Sequence, residues 1–422
     1  MSSVRLDVSK RDRRINVLYC DSNTDGTVGG SHYCLLYLVR HLDRSRFNPT
    51  VLFYDNHALV PQFAALAETI VHPKNAPVRW RASGAARWLA PPAAVAQRAV
   101  NLSKLVRDIA RHVSFLREHE IDLVSLNNSI TRHHDWIIAT ALTGTPCIVH
   151  ERGLPRYNAV DGFFGRRVAL IAAMSRWIGR AMVEQGVSAD NIRVMYDGLD
   201  PAAFTVAESS DEVRHAWNVR PDQPVVGIVG NVRHWKGQEV VVRALIDVVE
   251  RHPDVVCFFV GAATVEDKPY MDGIEALIAK AGIRANVRFT GYQANVPSLV
   301  VLMRFLIHAS VEPEPFGMVV LEAMAMRKAV VGSRAGGVVE MVIEGETGYT
   351  FPPGDAQALA GHMLDLLGDP AKADRMGERG HQRLVSHFSV QHYMATVHDA
   401  YEAVLAGRTV PPGVDMSLQG DA

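Results

Sequence analysis

The sequence predicts an α/β fold of two lobes, each a parallel sheet with helices on both faces. Three observations carry this. The chain has 422 residues, more than one hydrophobic core usually fills, so two domains of roughly 200 residues each are expected. Short apolar β-rich runs alternate with helical patterns along most of its length. The alternation breaks near "VMYDGLDPAAF" and the acidic "ESSDE" that follows, where Gly198 and Pro201 interrupt the pattern.

The elements follow in order. After a polar, charged start, "INVLYCD" reads as a strand, "GTVGG" as a glycine loop and "SHYCLLYLVRHL" as a helix. Further strands are expected at "NPTVLFYD", "IDLVSLNN", "TPCIVHE" and "RVALIAAMS". A second series begins with strand "QPVVGIVGN", helix "GQEVVVRALIDVVERH", strand "VVCFFVGA", helix "MDGIEALIAKAG" and strand "VRFTGY", then strands "FLIHAS" and "KAVVGS". The expected organisation is a flexible N-terminus over 1–14, a Rossmann-like lobe over 15–198, and a second over 199–390 facing it across a central cleft. A C-terminal helix over 391–407 and a disordered Pro/Gly-rich tail over 408–422 complete it. No repeat of 20 to 50 residues with matching side chains is visible, which argues against a solenoid.

Lys and Arg total 44 against 45 Asp and Glu, a net charge of −1, so bulk nucleic acid is not an expected partner and any basic site is local. Cys20, Cys34, Cys147 and Cys257 show no C-x-x-C spacing and read as reduced core residues, which fits a cytoplasmic protein. No secretory signal and no apolar run long enough to span a bilayer is seen, so the expectation is a soluble or at most peripheral protein. His133 and His134 are adjacent, and no Cys or carboxylate cluster joins them, so they are expected as loop or surface residues and no metal site is expected.

The stretch "EPEPFGMVVLE" at 312–322 holds the main chemistry. Pro315 suits the first turn of a helix, which is expected to start at about 315 to 317. Gly317 lets a ligand approach the backbone. The helix N-terminus offers unpaired N–H groups and the positive end of a dipole, which suit a diphosphate at Phe316, Gly317, Met318 and Val319. Glu322 lies about five residues further on, roughly 8 Å along the axis, the reach from a diphosphate to its ribose. From spacing alone, the two glutamates equally fit a capped helix with a solvated face.

The segment "EPEPFGMVVLEAMAMRKAVVGSRAGGVVEMVIEGETGYTFPPGD" resembles the donor-site signature of retaining glycosyltransferases of the GT-B fold, family four (glycosyl transferases group 1), which includes mannosyltransferases and sucrose synthases. The family's E-x7-E motif falls on Glu314 and Glu322, "MYDGLD" is similar to its turn between lobes, and "RHWKGQ" resembles its lysine-glycine phosphate loop. The resemblance covers about residues 165 to 400 and is loose before residue 140. It implies that Lys236 pairs with the donor diphosphate, Glu322 binds ribose, and Glu314 binds or polarises the donor sugar. It implies donor contacts at Gly291 and the "FGMV" amides as well. The family usually has arginine directly after the glycine of its phosphate strand, where this chain has Asn231, so Arg233 is the candidate for the second positive charge.

In the first lobe Gly29 and Gly30 match the family's paired glycines, and His150 matches its strand-end histidine that contacts the donor sugar. Read without the resemblance, the glycines equally form a tight turn and the histidine a hydrogen-bonded structural residue. The activity implied is transfer of a sugar from a nucleotide-sugar to a hydroxyl acceptor with retention, without cofactor or metal, with His150 and Glu314 orienting the sugar. No D-x-D motif stands at a strand end in the N-terminal half. A nucleotide-sugar 2-epimerase-type isomerase and a non-catalytic nucleotide-sugar binding protein are the alternatives. A dehydrogenase is disfavoured, since "CDSNTDGTVGG" lacks the G-x-G-x-x-G spacing.

Residues 71–120 carry 9 Lys and Arg against 3 Asp and Glu. Its second half has apolar residues at helical spacing, so the region reads first as an amphipathic helix with solvated arginines. The alternative is that Trp80, Trp88, Arg79, Arg81 and Arg87 form an interfacial patch for an anionic membrane carrying a lipid-linked glycan acceptor, in place of a small soluble one.

Overall fold

The computed structural model describes residues 13–24, 28–73, 90–204, 206 and 208–410. The Arg/Trp patch lies outside them, as do most of the expected flexible N-terminus and tail.

Among the described residues, thirteen strands form two parallel sheets. The first contains β1 (Ile15–Asp21), β2 (Phe47–Phe53), β3 (Glu68–Val71), β4 (Leu123–Asn128), β5 (Cys147–Glu151), β6 (Leu170–Ala173) and β7 (Ile192–Val194). Its order is β3-β2-β1-β4-β5-β6-β7. The second contains β8 (Val225–Val229), β9 (Val256–Val260), β10 (Val287–Gly291), β11 (Met303–His308), β12 (Ala329–Ser333) and β13 (Gly348–Phe351) in the order β10-β9-β8-β11-β12-β13. In each sheet the chain winds outward one way, returns to the centre and winds the other way. That reversal opens a crevice at the carboxyl ends of β1 and β4 in one sheet and of β8 and β11 in the other, the places where such sheets bind ligands.

The strands are apolar almost throughout because both faces are covered. Val17, Leu18, Val124 and Ile148 are fully buried in the first sheet, and Val226, Phe258, Phe305 and Leu306 in the second. The covering helices show the matching period: Gln238–Arg251 buries Val241, Leu245 and Val248, spaced four and three residues apart. Side chains define the helix starts, as where Ser209 and Glu212 form a reciprocal cap on Ser210–Ala216.

The chain divides into two compact units. Of the described residues, one unit comprises those up to Met174, Gly179–Met195 and those from Met394 on; the other comprises Ser175–Ile178 and those over Tyr196–Tyr393. Ser175–Ile178 is tied to the second unit by Glu340, whose carboxylate accepts the N–H groups of Arg176 and Trp177, each at 2.9 Å. The last helix is Val390–Leu405, and from Met394 on it belongs to the first unit. Tyr401 is buried there, its hydroxyl 3.2 Å from that of Tyr19 and 3.4 Å from Ser125 Oγ. The four cysteines are buried and unbridged. Among the described residues no helix is long and apolar enough to cross a membrane.

Two expectations change. His133 is fully buried, not a surface residue, its Nε2 2.7 Å from the carbonyl of Asn127; His134 starts the helix His134–Thr143 and its Nε2 lies 2.9 Å from Asp161. The helix expected from 315 to 317 begins later, as Met318–Ala325. Gly317 has φ 101°, a left-handed conformation that no helical residue adopts, so Pro315 and Phe316 precede the helix.

Candidate functional site

In the second unit the loops after β8 and β11, neighbouring strands, meet at the crevice. The loop after β8 passes through Arg233 into the single turn His234–Lys236 and ends at Gly237, φ 72°. A Cβ on Gly237 would stand 1.9 Å from the Ala309 carbonyl oxygen, so only glycine lets this loop lie against the end of β11. The amide of Val311 donates to Trp235 O at 2.8 Å and fastens the two together.

This apposition brings Lys236 and Glu314 into contact, the pair that the sequence places 78 residues apart. Lys236 Nζ lies 2.9 Å from Glu314 Oε1 and 2.8 Å from Oε2. His308, the last residue of β11, places Nε2 2.7 Å from Glu314 Oε2, and Ser310 Oγ donates to the same oxygen at 3.0 Å. Burial alone would raise the Glu314 pKa, but the Lys236 charge and His308 outweigh it and hold the carboxyl well below the ordinary carboxylate range.

A third loop supports the glutamate from the other side. Gly337 N donates to Glu314 O at 2.9 Å. A Cβ on Gly336, at φ 66°, would lie 2.0 Å from that same carbonyl oxygen, and one on Gly337 2.7 Å from Pro315 O. Ser175 Oγ donates to Pro315 O at 2.7 Å. The segment 314–316 is thus clamped by its backbone, which leaves the Glu314 side chain fixed at its root.

Beyond the clamp the helix Met318–Ala325 starts, and the N–H groups of Met318 and Val319 fall in its first turn, where no intrahelical carbonyl can reach them. Phe316 contributes packing, being 1% exposed with its ring stacked 5.9 Å from Tyr196. Glu322 sits one turn into the helix, and among the described residues no hydrogen bond reaches its carboxylate. Burial pushes its pKa up, against the pull of Lys236, to about 7.

The other predicted donor residues stand apart from this pair. Arg233 is 43% exposed in its side chain and faces Asp267, Nε to Oδ2 at 3.4 Å. Gly291 ends the edge strand β10, two strands from β8, with φ 64° and its amide oxygen bound by Gly261 N at 3.0 Å.

In the first unit Gly29 and Gly30 begin the helix Gly30–His41, and a Cβ at either would meet nothing within 4 Å. Packing therefore does not require glycine there, and the space above them is open. His150 is 4% exposed on β5, in register with Asn127 of β4. Beside them is a polar knot that sequence reasoning missed: Asp21, fully buried at the end of β1, accepts Asn127 Nδ2 at 2.5 Å and Asn128 Nδ2 at 3.1 Å, and Arg152 donates to Asn127 Oδ1. Next to His150, burial pushes the Glu151 pKa up to about 8 against the hydrogen bond from Ile130 N. Separately, a cavity of about 320 Å³ opens at the ends of β2 and β3, walled by Tyr54, Phe115, His112 and Trp136. Among the described residues no group of three or more His, Cys, Asp or Glu could hold a metal ion.

The raised Glu322 pKa has a testable sign. The folded protein holds this proton more tightly than the unfolded chain, whose carboxyl titrates near 4.5, so the stabilisation is whole below pH 4.5 and is lost as the pH rises through about 7. Glu322→Gln keeps the neutral form at every pH. Compared with wild type in urea unfolding, it is expected to gain about 2 kcal/mol in relative stability between pH 5 and pH 8. A difference independent of pH would show the carboxylate to be fully solvated.

Residues 209–383 match the family model described as glycosyl transferases group 1. The lipopolysaccharide core biosynthesis mannosyltransferase LpcC of Rhizobium leguminosarum bv. viciae is 31% identical over 214 residues, 50% of this chain and 60% of that protein's length. The N-acetyl-alpha-D-glucosaminyl L-malate synthase of Bacillus anthracis is 26% identical over 268 residues, 64% of this chain and 68% of that protein. Among solved structures, Anabaena Alr3699/HepE in complex with UDP superposes with a TM-score of 0.76 at 23% identity, covering 92% of this chain and 100% of that one. A glycosyltransferase from Rickettsia africae ESF-5 superposes at 0.78 and 18% identity, covering 93% and 99%. The segment 209–383, built on the second sheet, thus matches the glycosyl transferases group 1 model, and the chain, with its two doubly wound parallel sheets, has the GT-B fold.

Proposed function

We propose that this protein transfers a sugar from a nucleoside-diphosphate sugar to a hydroxyl acceptor, with retention of anomeric configuration. The observation that carries the reading is the Lys236–Glu314 contact at the crevice of the second sheet, with the open helix N-terminus at Met318 and the unpaired Glu322 one turn beyond. A leaving nucleoside diphosphate gathers negative charge. The Met318 and Val319 amides stabilise that charge without reorganising, Lys236 turns to it from Glu314, and Arg233 adds a second cation. Glu322 accepts the ribose hydroxyls and Glu314 a hydroxyl of the donor sugar. The resemblance to retaining enzymes implies that the acceptor attacks on the face the diphosphate leaves, its hydroxyl proton passing to the leaving phosphate, which gives retention without a covalent enzyme intermediate.

The charge that a metal would supply to the diphosphate comes in this reading from the chain, so the reaction is metal-independent and needs no cofactor. In the first unit we assign Gly29, Gly30 and His150 to substrate contact at their crevice. The name of the Rhizobium relative points to mannose and a lipopolysaccharide core, and the Anabaena structure holds UDP, which together support a nucleotide-borne hexose as the donor. Four buried reduced cysteines support a cytoplasmic place, with peripheral membrane contact through the Arg/Trp segment if the acceptor is lipid-linked.

UDP and GDP tested by thermal shift are expected to separate. At 100 times its Kd the correct nucleotide stabilises by about 2.7 kcal/mol, a rise of several degrees. Turnover of UDP-glucose or GDP-mannose is then expected to survive EDTA. Loss of turnover on chelation, restored by Mn²⁺, would overturn the metal-free site, and an epimerised nucleotide-sugar formed without acceptor would replace transfer by isomerisation.

A further inference from the structure

The two oxygens of Glu314 are held differently. Oε2 receives His308 Nε2 at 2.7 Å and Ser310 Oγ at 3.0 Å as well as Lys236 at 2.8 Å, whereas among the described residues Oε1 receives Lys236 alone, at 2.9 Å. His308 is 3% exposed, and its Nδ1 is buried with no hydrogen-bond partner among the described residues. A proton on Nδ1 would therefore be an unsatisfied buried donor, a costlier defect than an unused lone pair, which puts the proton of a neutral ring on Nε2. His308 then donates to Oε2, and its place at the end of β11 makes that donor as rigid as the sheet.

Lys236 gives two of its three N–H groups to Glu314, so a diphosphate that takes more than the third draws them off the carboxylate. When Lys236 turns in this way, Oε1 loses the one partner it has among the described residues while Oε2 keeps two. We propose that His308 is a positioning residue for Glu314: with Ser310 it anchors Oε2 while Lys236 passes from the glutamate to the donor diphosphate, so that Oε1 is left aimed at a hydroxyl of the donor sugar. This rests on the donor-site reading of Lys236 and Glu314. It gives the imidazole a role that acts through Glu314.

The test measures hydrolysis of UDP-glucose and GDP-mannose, with UDP and GDP binding by calorimetry. His308→Leu keeps the volume and removes the donor; His308→Gln keeps an N–H near the place of Nε2. For whichever nucleotide-sugar the wild type consumes, His308→Leu is expected to lower kcat 10- to 100-fold and leave the nucleoside diphosphate Kd within threefold. His308→Gln is expected to stay within about threefold of wild type in kcat. In a Glu314→Gln background, His308→Leu should cost nothing further. If His308→Leu does not fold, Ser310→Ala carries the test, with an expected three- to tenfold loss in kcat at unchanged nucleotide Kd. Wild-type kcat in His308→Leu, an equal loss in His308→Gln, or full additivity with Glu314→Gln would overturn the positioning role alone. A wild type that neither binds UDP or GDP nor consumes either sugar would overturn the donor-site reading and this proposal together.

Discussion

Lys236→Ala is expected to lower kcat/KM for the nucleotide-sugar by about 10²- to 10³-fold, the size of effect that follows loss of one preorganised donor to a developing anion. The variant also unpairs Glu314, whose side chain is 15% exposed, so stability falls too. His308 and Ser310 keep two of the hydrogen bonds, which limits the loss to about 1–3 kcal/mol, below the usual cost of breaking a fully buried pair. The loss has a pH signature. Because the folded Glu314 pKa lies below the unfolded value of 4.5, the stabilisation it reports is present above pH 4.5 and is lost as the pH falls below that. Unfolding midpoints of wild type and variant should therefore diverge at pH 7 and converge toward pH 3. Turnover within a few-fold of wild type would refute the phosphate assignment, whatever the stability shows.

Gly336→Ala is expected to be as severe by a different route. Its φ of 66° already costs a non-glycine residue about 1–2 kcal/mol, and the new methyl would stand 2.0 Å from the Glu314 carbonyl, a backbone atom that cannot turn aside. Either the loop 334–337 or the segment 314–316 has to move. The total is expected to exceed about 3 kcal/mol, and where the protein still folds, the Gly337 N to Glu314 O bond is lost and turnover falls at least tenfold. Circular dichroism melting with an activity measurement checks both. Gly273→Ala, at an exposed glycine inside the helix Lys268–Ala281 whose Cβ meets nothing within 4 Å, should leave turnover unchanged and raise stability by about 0.5–1 kcal/mol, and serves as the control.

The strands and helices that the sequence revealed are those with long apolar runs. "INVLYCD" is β1 residue for residue, and the helix Gln238–Arg251 starts one residue inside the stretch that predicts it. The strands that escaped are β3, β7 and β13, of four, three and four residues. All three lie at sheet edges, where a strand has one neighbour and needs little apolar sequence. The same limit held at the site. Lys236, Glu314 and Glu322 were named because the resemblance fixed them one by one, and the structure brings the first two into contact. Their supports were not, because a glycine pressed on a carbonyl 22 residues away, or a histidine two residues before a serine, has no local pattern. "RAGG" offered a weak signal, two adjacent glycines directly after a predicted strand, and "FLIHAS" another, an imidazole closing an apolar run.

The last helix bears on how the protein is made. Tyr401, in that helix, fills the core beside Tyr19 and against Phe47, so the N-terminal unit contains residues the ribosome adds about 380 positions after its first strand. Domains usually close one after another as they emerge. Here the second unit, nearly contiguous over Tyr196–Tyr393, has all its strands before the first unit has its final helix. The nascent first sheet must wait, with the surface under Tyr401 uncovered, through synthesis of the whole second unit. Order of translation and order of completion are thus inverted, and the unit that begins first is the last to be sealed.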